Sequence, residues 1–168
     1  LIIGFASLGI FQAAAWAQAD TYPNRPIKLI ITWPVGGFAD TLGRTVASQL
    51  GPILGQQIVV ENRGGANGMI GADAVAKSAP DGYTFLVNSA AFAVNPALYG
   101  SAAGYSPDKD FVPVAFVSTQ ANVISVNEAV PVKTLAELRE YASKNKMSYS
   151  SPGYGTTPHL TCENVFRI

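Results

Sequence analysis

The sequence contains almost none of the residues that build disulfides or metal centres. Among its 168 residues there is one cysteine, Cys162, and one histidine, His159. The chain therefore has no disulfide framework, and a metal site built on cysteine and histidine is not expected. We predict that the protein binds no metal and no cofactor.

Charge is also scarce, although apolar residues are not. Charged residues make up 13% of the chain, and 11 Lys and Arg residues balance 11 Asp and Glu residues, so the formal net charge is zero. No broad basic surface exists to hold nucleic acid or an anionic membrane, and any anion must be bound by local groups. The 48% content of hydrophobic residues is that of a globular protein with a core.

The strongly apolar part at the start of the chain is too short to span a bilayer. It covers residues 1–11 and is followed by small residues that end in Ala17-Gln18-Ala19, the A-x-A pattern of a secretory cleavage site. We predict cleavage before Asp20, and a periplasmic protein. Because an initiator Met and a charged start are absent, we expect residues 1–19 to be part of a signal peptide. A membrane anchor is the alternative.

The most informative stretch that is present covers residues 29–50. A short β-branched run at 28–32 is followed by Gly36 and Gly37, and then by apolar residues at helical spacing, with Asp40 in the first turn. A strand, a glycine turn and a helix start in this order expose unpaired N–H groups with no Cβ in the way, which is an arrangement that binds small anions. The alternative interpretation is an ordinary strand-to-helix connection.

Further strands are predicted at 58–60 and 83–87, with helices between them. Strands linked in this way by helices form an open parallel sheet, and ligands of such sheets lie at the carboxyl ends of the strands. Residues 32–40, 63–67 and 88–91 would therefore share one edge. This pattern predicts an α/β fold.

A second lobe is predicted after residue 116. Residues 117–126 have the pattern of two short strands without an intervening helix, and a third strand is predicted at 147–150. Thr134 and Glu137 form a capping box between them. Residues 151–159 repeat the strand, glycine turn and helix start, so two helix N-termini on opposite lobes would close on one small carboxylate.

Three local features are predicted near these loops. Asn67 is expected to cap a helix that runs through 69–76, and residues 95–99 are expected to start a short helix. Arg63 is expected to pair with Glu61 on the surface, and the alternative is that it binds a phosphate beside the glycines. The chain stops about three turns after a helix start at Thr156, with no glycine cap, so we expect it to be truncated inside an element.

With these residues in hand, the chain resembles the Bug family, the periplasmic solute-binding receptors of tripartite tricarboxylate transporters. The resemblance runs from about residue 22 to the end and depends on several motifs in the family's order. These are Tyr22-Pro23, Arg25-Pro26-Ile27, Gly36-Gly37 with Asp40, Glu61-Asn62-Arg63 with Gly65, Asn67 and Gly71, Pro80-Asp81-Gly82-Tyr83-Thr84, Asn95-Pro96 with Leu98-Tyr99, and Gly153, Gly155 and His159-Leu160.

The resemblance implies a two-lobed α/β clamshell, the periplasmic-binding-protein fold, with parallel-sheet lobes. Residues 1–19 would be the partial signal peptide, 20–116 the first lobe, and 117–168 the start of an incomplete second lobe. It also implies a monomeric receptor that captures a small carboxylate, such as a di- or tricarboxylate or an amino-acid-like anion, and passes it to membrane permease subunits. The implied ligand contacts are Gly36, Gly37, Phe38, Ala39, Asp40, Ser89, Ala91, Gly153, Tyr154, Gly155, Thr156 and Thr157.

In this family much of the recognition is by backbone amides and bridging waters, which agrees with the absence of a basic cluster here. Asp40 would then act as a helix cap and water holder rather than as a direct partner of the anion. The sequence departs from the family pattern in bulky Phe38, in Pro34-Val35 before the glycines, and in Pro152. These departures bear on pocket size, and hence on which acid is bound.

Two alternatives remain. A periplasmic α/β hydrolase would combine a serine with His159 and Asp40, but the chain has no G-x-S-x-G motif. A fragment without function would expose apolar residues of the second lobe, such as Val123, Ile124 and Val126, and would be poorly soluble and bind no ligand. The sequence therefore predicts a binding receptor and no catalytic residue.

Overall fold

A computed structural model describes residues 21–167, and its first part is built on a parallel sheet. The three strands are β1 (Ile27–Ile31), β2 (Ile58–Asn62) and β3 (Thr84–Val87), and β1 lies in the middle of the order β2-β1-β3. This sheet confirms the α/β prediction and the three first-lobe strands. The predicted signal peptide, residues 1–19, lies outside the described residues.

The register brings the ends of all three strands to one edge. Ile31 pairs with Asn62 on one side and with Val87 on the other. The loops that follow the strands therefore leave the sheet side by side, as predicted. β1 is the apolar centre of this layer because both its neighbours and the helices cover it; its buried residues are Ile27, Leu29, Ile30 and Ile31.

Six helices complete the described chain. They are α1 (Phe38–Leu54), α2 (Met69–Ala76), α3 (Ala91–Tyr99), α4 (Pro107–Asp110), α5 (Leu135–Lys144) and α6 (Thr157–Phe166). Short 3₁₀ turns at Ala66–Gly68 and Gly100–Ala103 precede α2 and follow α3. None of the helices in the described part combines the length and apolar character that a bilayer crossing requires.

The core of the first lobe lies where α2 and α3 meet β3 and the segment after α3. Ala72, Ala103 and Tyr105 are buried there. The ring of Phe92 stacks on Tyr105 at 4.9 Å between centroids and meets Phe111 edge-on at 4.8 Å. These aromatic contacts close the lobe at its C-terminal side.

The predicted strands of the second lobe are not formed in the described chain. Residues 111–134 and 145–152 contain no strand, so the predictions of strands at 117–126 and 147–150 are wrong for this structure. A strand needs a hydrogen-bonded partner, and no described segment pairs with either one. Apolar side chains in this region are consequently exposed, including Val112 at 86% and Val123 at 84%.

The local helix signals of the same region are confirmed. Thr134 is the N-cap of α5 and accepts the N–H of Glu137 at 3.2 Å. The carboxylate of Glu137 reaches back to the N–H of Lys133 at 2.6 Å. A cap of this kind needs only residues three or four positions apart, so it forms without a sheet beneath it.

Two first-lobe predictions are corrected. Asn67 does not cap α2, because its side chain makes no capping bond and instead points to residues far away in sequence. Residues 95–99 end α3 rather than start a helix, since the helix already begins at Ala91. Arg63 does pair with Glu61, at 2.5 Å.

Candidate functional site

The first glycine corner lies between β1 and α1. Gly36 has a left-handed backbone (φ 83°) and Gly37 is the N-cap of the helix. The N–H of Gly36 donates to the carboxylate of Asp40 at 2.9 Å, and the N–H of Gly37 donates to the carbonyl of Pro34 at 3.3 Å. Both glycine amides are therefore occupied by internal partners.

Asp40 is the buried centre of this corner, with 3% of its surface exposed. Besides Gly36, its carboxylate accepts hydrogen bonds from Arg44 Nε at 3.0 Å and from Asn62 Nδ2 at 2.8 Å. The hydrogen bond from Arg44, followed by those from Gly36 and Asn62, lowers the pKa of Asp40 to about 2. Asn62 also donates to the carbonyl of Trp33 at 3.0 Å, which ties the end of β2 to the corner.

Asp40 lies in the first turn of α1, as predicted, but it is not the cap of the helix: the N-cap is Gly37, and the carboxylate accepts the N–H of Gly36, which lies before it. Because the carboxylate is paired with Arg44, neither charge at this corner is left free. Within residues 21–167, the N–H groups of Phe38, Ala39 and Asp40 have no hydrogen-bond partner. The groups that this corner offers to an anion are therefore the first three amides of α1 rather than the glycine amides.

The second corner, before α6, follows the same plan. Gly155 is left-handed (φ 81°) and Thr156 is the N-cap. The N–H of Gly155 donates to Nδ1 of His159 at 3.3 Å, and the N–H of Thr156 donates to the carbonyl of Gly153 at 3.2 Å. Thr156 is buried, and its hydroxyl accepts the N–H of His159 at 3.4 Å.

The two corners share three backbone features. In each, a left-handed glycine precedes the N-cap, the N-cap amide returns to a carbonyl three residues earlier, and the glycine amide is held by a side chain four residues later. In the described chain, the second corner leaves the N–H groups of Gly153, Tyr154 and Thr157 without a partner. Each corner therefore has three backbone N–H groups without a partner among the described residues.

The predicted third contributor lies at the same edge, after β3. The N–H of Ser89 donates to Asn88 Oδ1 at 2.6 Å, and Ser89 Oγ accepts the N–H of Ala91 at 3.3 Å. Ser89 is exposed and Ala91 is buried at the start of α3. Since β3 neighbours β1, Ser89 follows the strand next to the first corner.

Asn67 joins the second corner to the first lobe, a role that sequence reasoning missed. Its Nδ2 donates to the carbonyl of Tyr154 at 2.9 Å and to Asn95 Oδ1 at 2.7 Å. Its Oδ1 is buried and has no partner among the described residues. A Cβ added to Gly153 would lie 3.5 Å from that oxygen, so the second corner lies close to it.

The loop that carries Asn67 also borders the first corner. A Cβ added to Gly64 would lie 3.7 Å from the carbonyl of Thr32 and 4.0 Å from the nitrogen of Pro34. The 63–68 loop thus runs from the first corner to the second. No hydrogen bond joins the two corners directly in the part of the chain that the structure describes.

The hydrolase arrangement is not assembled. Asp40 is bound to Arg44, Asn62 and Gly36, whereas His159 holds Gly155 and faces Glu163 at 4.0 Å. Residues 21–167 also contain no cluster of three metal-ligating side chains. A shallow groove of about 570 Å³ beside α1 and β2 contains none of the predicted ligand contacts, so we do not assign the ligand to it.

Comparison with known proteins gives a family and a set of relatives. Residues 42–167 match the model of the tripartite tricarboxylate transporter family receptor. Protein BugT of Bordetella pertussis is 40% identical over 166 residues, an alignment that covers 94% of this chain and 51% of BugT. The chain spans about half the length of the curated relatives it matches.

Three solved structures share the fold. The periplasmic binding protein BugD matches with a TM-score of 0.69 and 32% identity, over 88% of this chain and 50% of BugD. Rpa4515 of Rhodopseudomonas palustris with adipate matches with a TM-score of 0.76 and 36% identity, over 84% and 48% of the two chains. MatC of the same organism, with bound malate, matches with a TM-score of 0.67 and 29% identity, over 87% of this chain and 50% of MatC.

Proposed function

The chain belongs to the tripartite tricarboxylate transporter receptor family, and from this premise we propose that it captures a small carboxylate between two lobes in the periplasm and delivers it to a membrane permease. The resemblance seen in the motifs is thereby confirmed at the level of the family and of the periplasmic-binding-protein fold. The ligand, the permease and the site residues are our proposals.

The observation that carries the proposal is the pair of matched corners. Each is the N-terminus of a helix, and each keeps backbone N–H groups that no described residue occupies. Amides at a helix N-terminus favour a negative charge, and they fix a carboxylate by geometry without a buried counter-charge. The guanidinium nearest the first corner, Arg44, is already paired with Asp40.

The family and the unoccupied donors support a class of ligand. Two structural relatives hold dicarboxylates, adipate in one and malate in the other. We propose a di- or tricarboxylate or an amino-acid-like anion, bound by the amides of residues 38–40 and of the second corner, with Ser89 as a further donor. Exposed Phe38 would limit the size of the acid from the side of the first corner.

We further propose that the protein is not an enzyme, that it acts as a monomer, and that residues 1–19 direct its export. The relatives are binding receptors, which supports a role without turnover. The separate partners of Asp40 and His159 support it as well.

Calorimetric titration of the protein expressed from its full reading frame tests this function. Malate, adipate, citrate and glutamate form the panel, and the diamide of malate is the control because it keeps the shape and loses the charge. We expect one-to-one binding of at least one acid, no binding of the diamide, and no consumption of ligand. Absence of binding by all acids, or product formation that His159→Ala abolishes, would overturn the proposal.

A further inference from the structure

The two corners differ in the side chain that holds the left-handed glycine. At the first corner the acceptor four residues later is the carboxylate of Asp40, and at the second it is the imidazole of His159. The first acceptor keeps its charge under ordinary conditions because the pKa of Asp40 is about 2. Imidazole, in contrast, is the side chain that commonly changes protonation between pH 5 and 8.

We propose that His159 is a positioning residue for the second corner: its neutral ring holds the Gly155 N–H through Nδ1, and protonation releases the corner, so that carboxylate binding weakens as the pH falls. A backbone N–H can only donate, so Nδ1 must carry the lone pair in this structure. The ring proton of the neutral form is then on Nε2, which faces Glu163 at 4.0 Å.

Titratable groups near the ring lie on α6 and on the segment before it. On α6 itself the titratable neighbours are Glu163 and Cys162; on the segment before α6 they are Tyr149 and Tyr154, with the Tyr154 ring 4.7 Å from the imidazole. The Tyr149 hydroxyl donates to Glu163. The side chain of His159 is only 13% exposed, so the ring is held in place.

Protonation changes both sides of the ring. A proton on Nδ1 faces the Gly155 N–H as a second donor, and the hydrogen bond at 3.3 Å is lost. Tyr154, whose free N–H is one of the proposed ligand donors, directly precedes Gly155, so release of Gly155 displaces a donor.

The first test needs no ligand. Hydrogen exchange of the Gly155 amide is measured by NMR in the protein from the full reading frame, corrected for the intrinsic effect of pH. We expect protection at pH 8 that is lost at pH 5, loss at both pH values in His159→Ala, and partial protection at both in His159→Asn, whose Oδ1 is an acceptor that does not titrate. An unprotected Gly155 amide at pH 8, or protection unchanged at pH 5, would overturn the proposal.

The second test, which rests on the proposed carboxylate-binding function, measures malate affinity in the same three proteins. We expect about three- to tenfold weaker binding of wild type at pH 5 than at pH 8, beyond the change in His159→Asn, which shares the titration of malate. His159→Ala should be weaker than His159→Asn at pH 8. Equal pH profiles in wild type and His159→Asn would overturn the proposal.

The two experiments distinguish failure of the receptor function from failure of the proposed role of His159. If no carboxylate binds but the Gly155 amide follows the expected pattern, the receptor function fails and the role of His159 stands. If malate binds and the Gly155 amide ignores both pH and substitution, the receptor function stands and the role of His159 fails.

Discussion

Two regions of the chain differ in strand pairing and in the burial of their apolar side chains. Residues 27–110 form a sheet with helices against it, and the buried apolar side chains of the sheet, with Ile31 fully buried, lie there. Residues 111–156 contain one helix, α5, whose single buried side chain is Leu138, and otherwise turns and irregular backbone with exposed valines. The difference separates what a short stretch of sequence can form alone from what requires a partner.

Helices and their caps need neighbours within four residues, so they form in both regions. Strands need a partner distant in sequence, so they form only where that partner is in the described chain. The apolar run at 111–126 has the composition of a strand and still pairs with nothing. Substitutions in each region test this difference.

The largest effect is expected from truncating the buried centre of the sheet. Ile31→Ala should lower the free energy of unfolding of the first region by about 2–5 kcal/mol, because it leaves a cavity between the sheet and α1, where the Ile31 side chain lies against Gly43. Val123→Ala is the matched control, since that side chain is 84% exposed, and we expect a change within about 0.5 kcal/mol. Urea unfolding followed by circular dichroism measures the stability of both variants. Equal losses of stability would contradict the difference between the two regions.

The next largest effect is expected on the pH dependence of stability, from the Asp40 carboxylate at the first corner. The pKa of Asp40 is lowered from an ordinary value of 3.8 to about 2 by its bonds to Arg44, Gly36 and Asn62. The carboxylate therefore stabilises the fold fully above about pH 4, and this stabilisation is lost as the pH falls toward 2. In Asp40→Asn, the thermal midpoint should depend less on pH in that window.

Glu140→Gln is the control for the second region. The pKa of Glu140 is also lowered, by the hydrogen bond and charge of Lys144, but both side chains are mostly exposed. Solvent screens such a pair, so we expect a smaller change in slope. If the pH dependence of the thermal midpoint changed more in Glu140→Gln than in Asp40→Asn, the prediction that burial strengthens the Asp40 contacts would be wrong.

A smaller effect is expected at the junction of the two regions. Asn67→Gly removes the bond to the Tyr154 carbonyl and leaves Asn95 Oδ1 without its donor, while glycine accepts the local φ of 56°. We expect a loss of about 1–3 kcal/mol and faster amide exchange at the second corner. Asn122→Ala, which removes one exposed hydrogen bond to Thr161, should leave that exchange unchanged.

The smallest effect concerns the cap of α5. Thr134→Ala should destabilise the helix by about 1 kcal/mol, because the Glu137 N–H loses its acceptor. Amide exchange of α5 measures the loss, and exchange of β1 in the same sample is the internal control. If β1 became equally labile, the two regions would not be independent.

The sequence predicted most of the first region because its signals are short. β-branched runs, glycine turns and helical spacing place β1, β2, β3 and α1 within one or two residues. The place of Asp40 in the first turn of α1 was also readable, because a carboxylate there suits the helix dipole. The pairing of Arg44 with Asp40 has the same spacing and was available as a signal.

The missed features depend on distant residues. Asn67 was predicted to cap α2 from its place in a glycine loop, yet its partners are Asn95 and Tyr154, which lie 28 and 87 residues later. The strands predicted at 117–126 failed for the same reason, because a composition that suits a sheet does not supply the neighbouring strand. The matched bonding of the two corners could be seen only with the backbone in place.

The central position of β1 sets the order in which the three described strands can pair. β1 comes first among them in the chain, yet its two neighbours end at Asn62 and Val87. The three strands can pair only when residue 87 is available, and until then the apolar segment Ile27–Ile31 has one unpaired side or two. A chaperone that binds those five residues until then would protect the unfolded chain from aggregation.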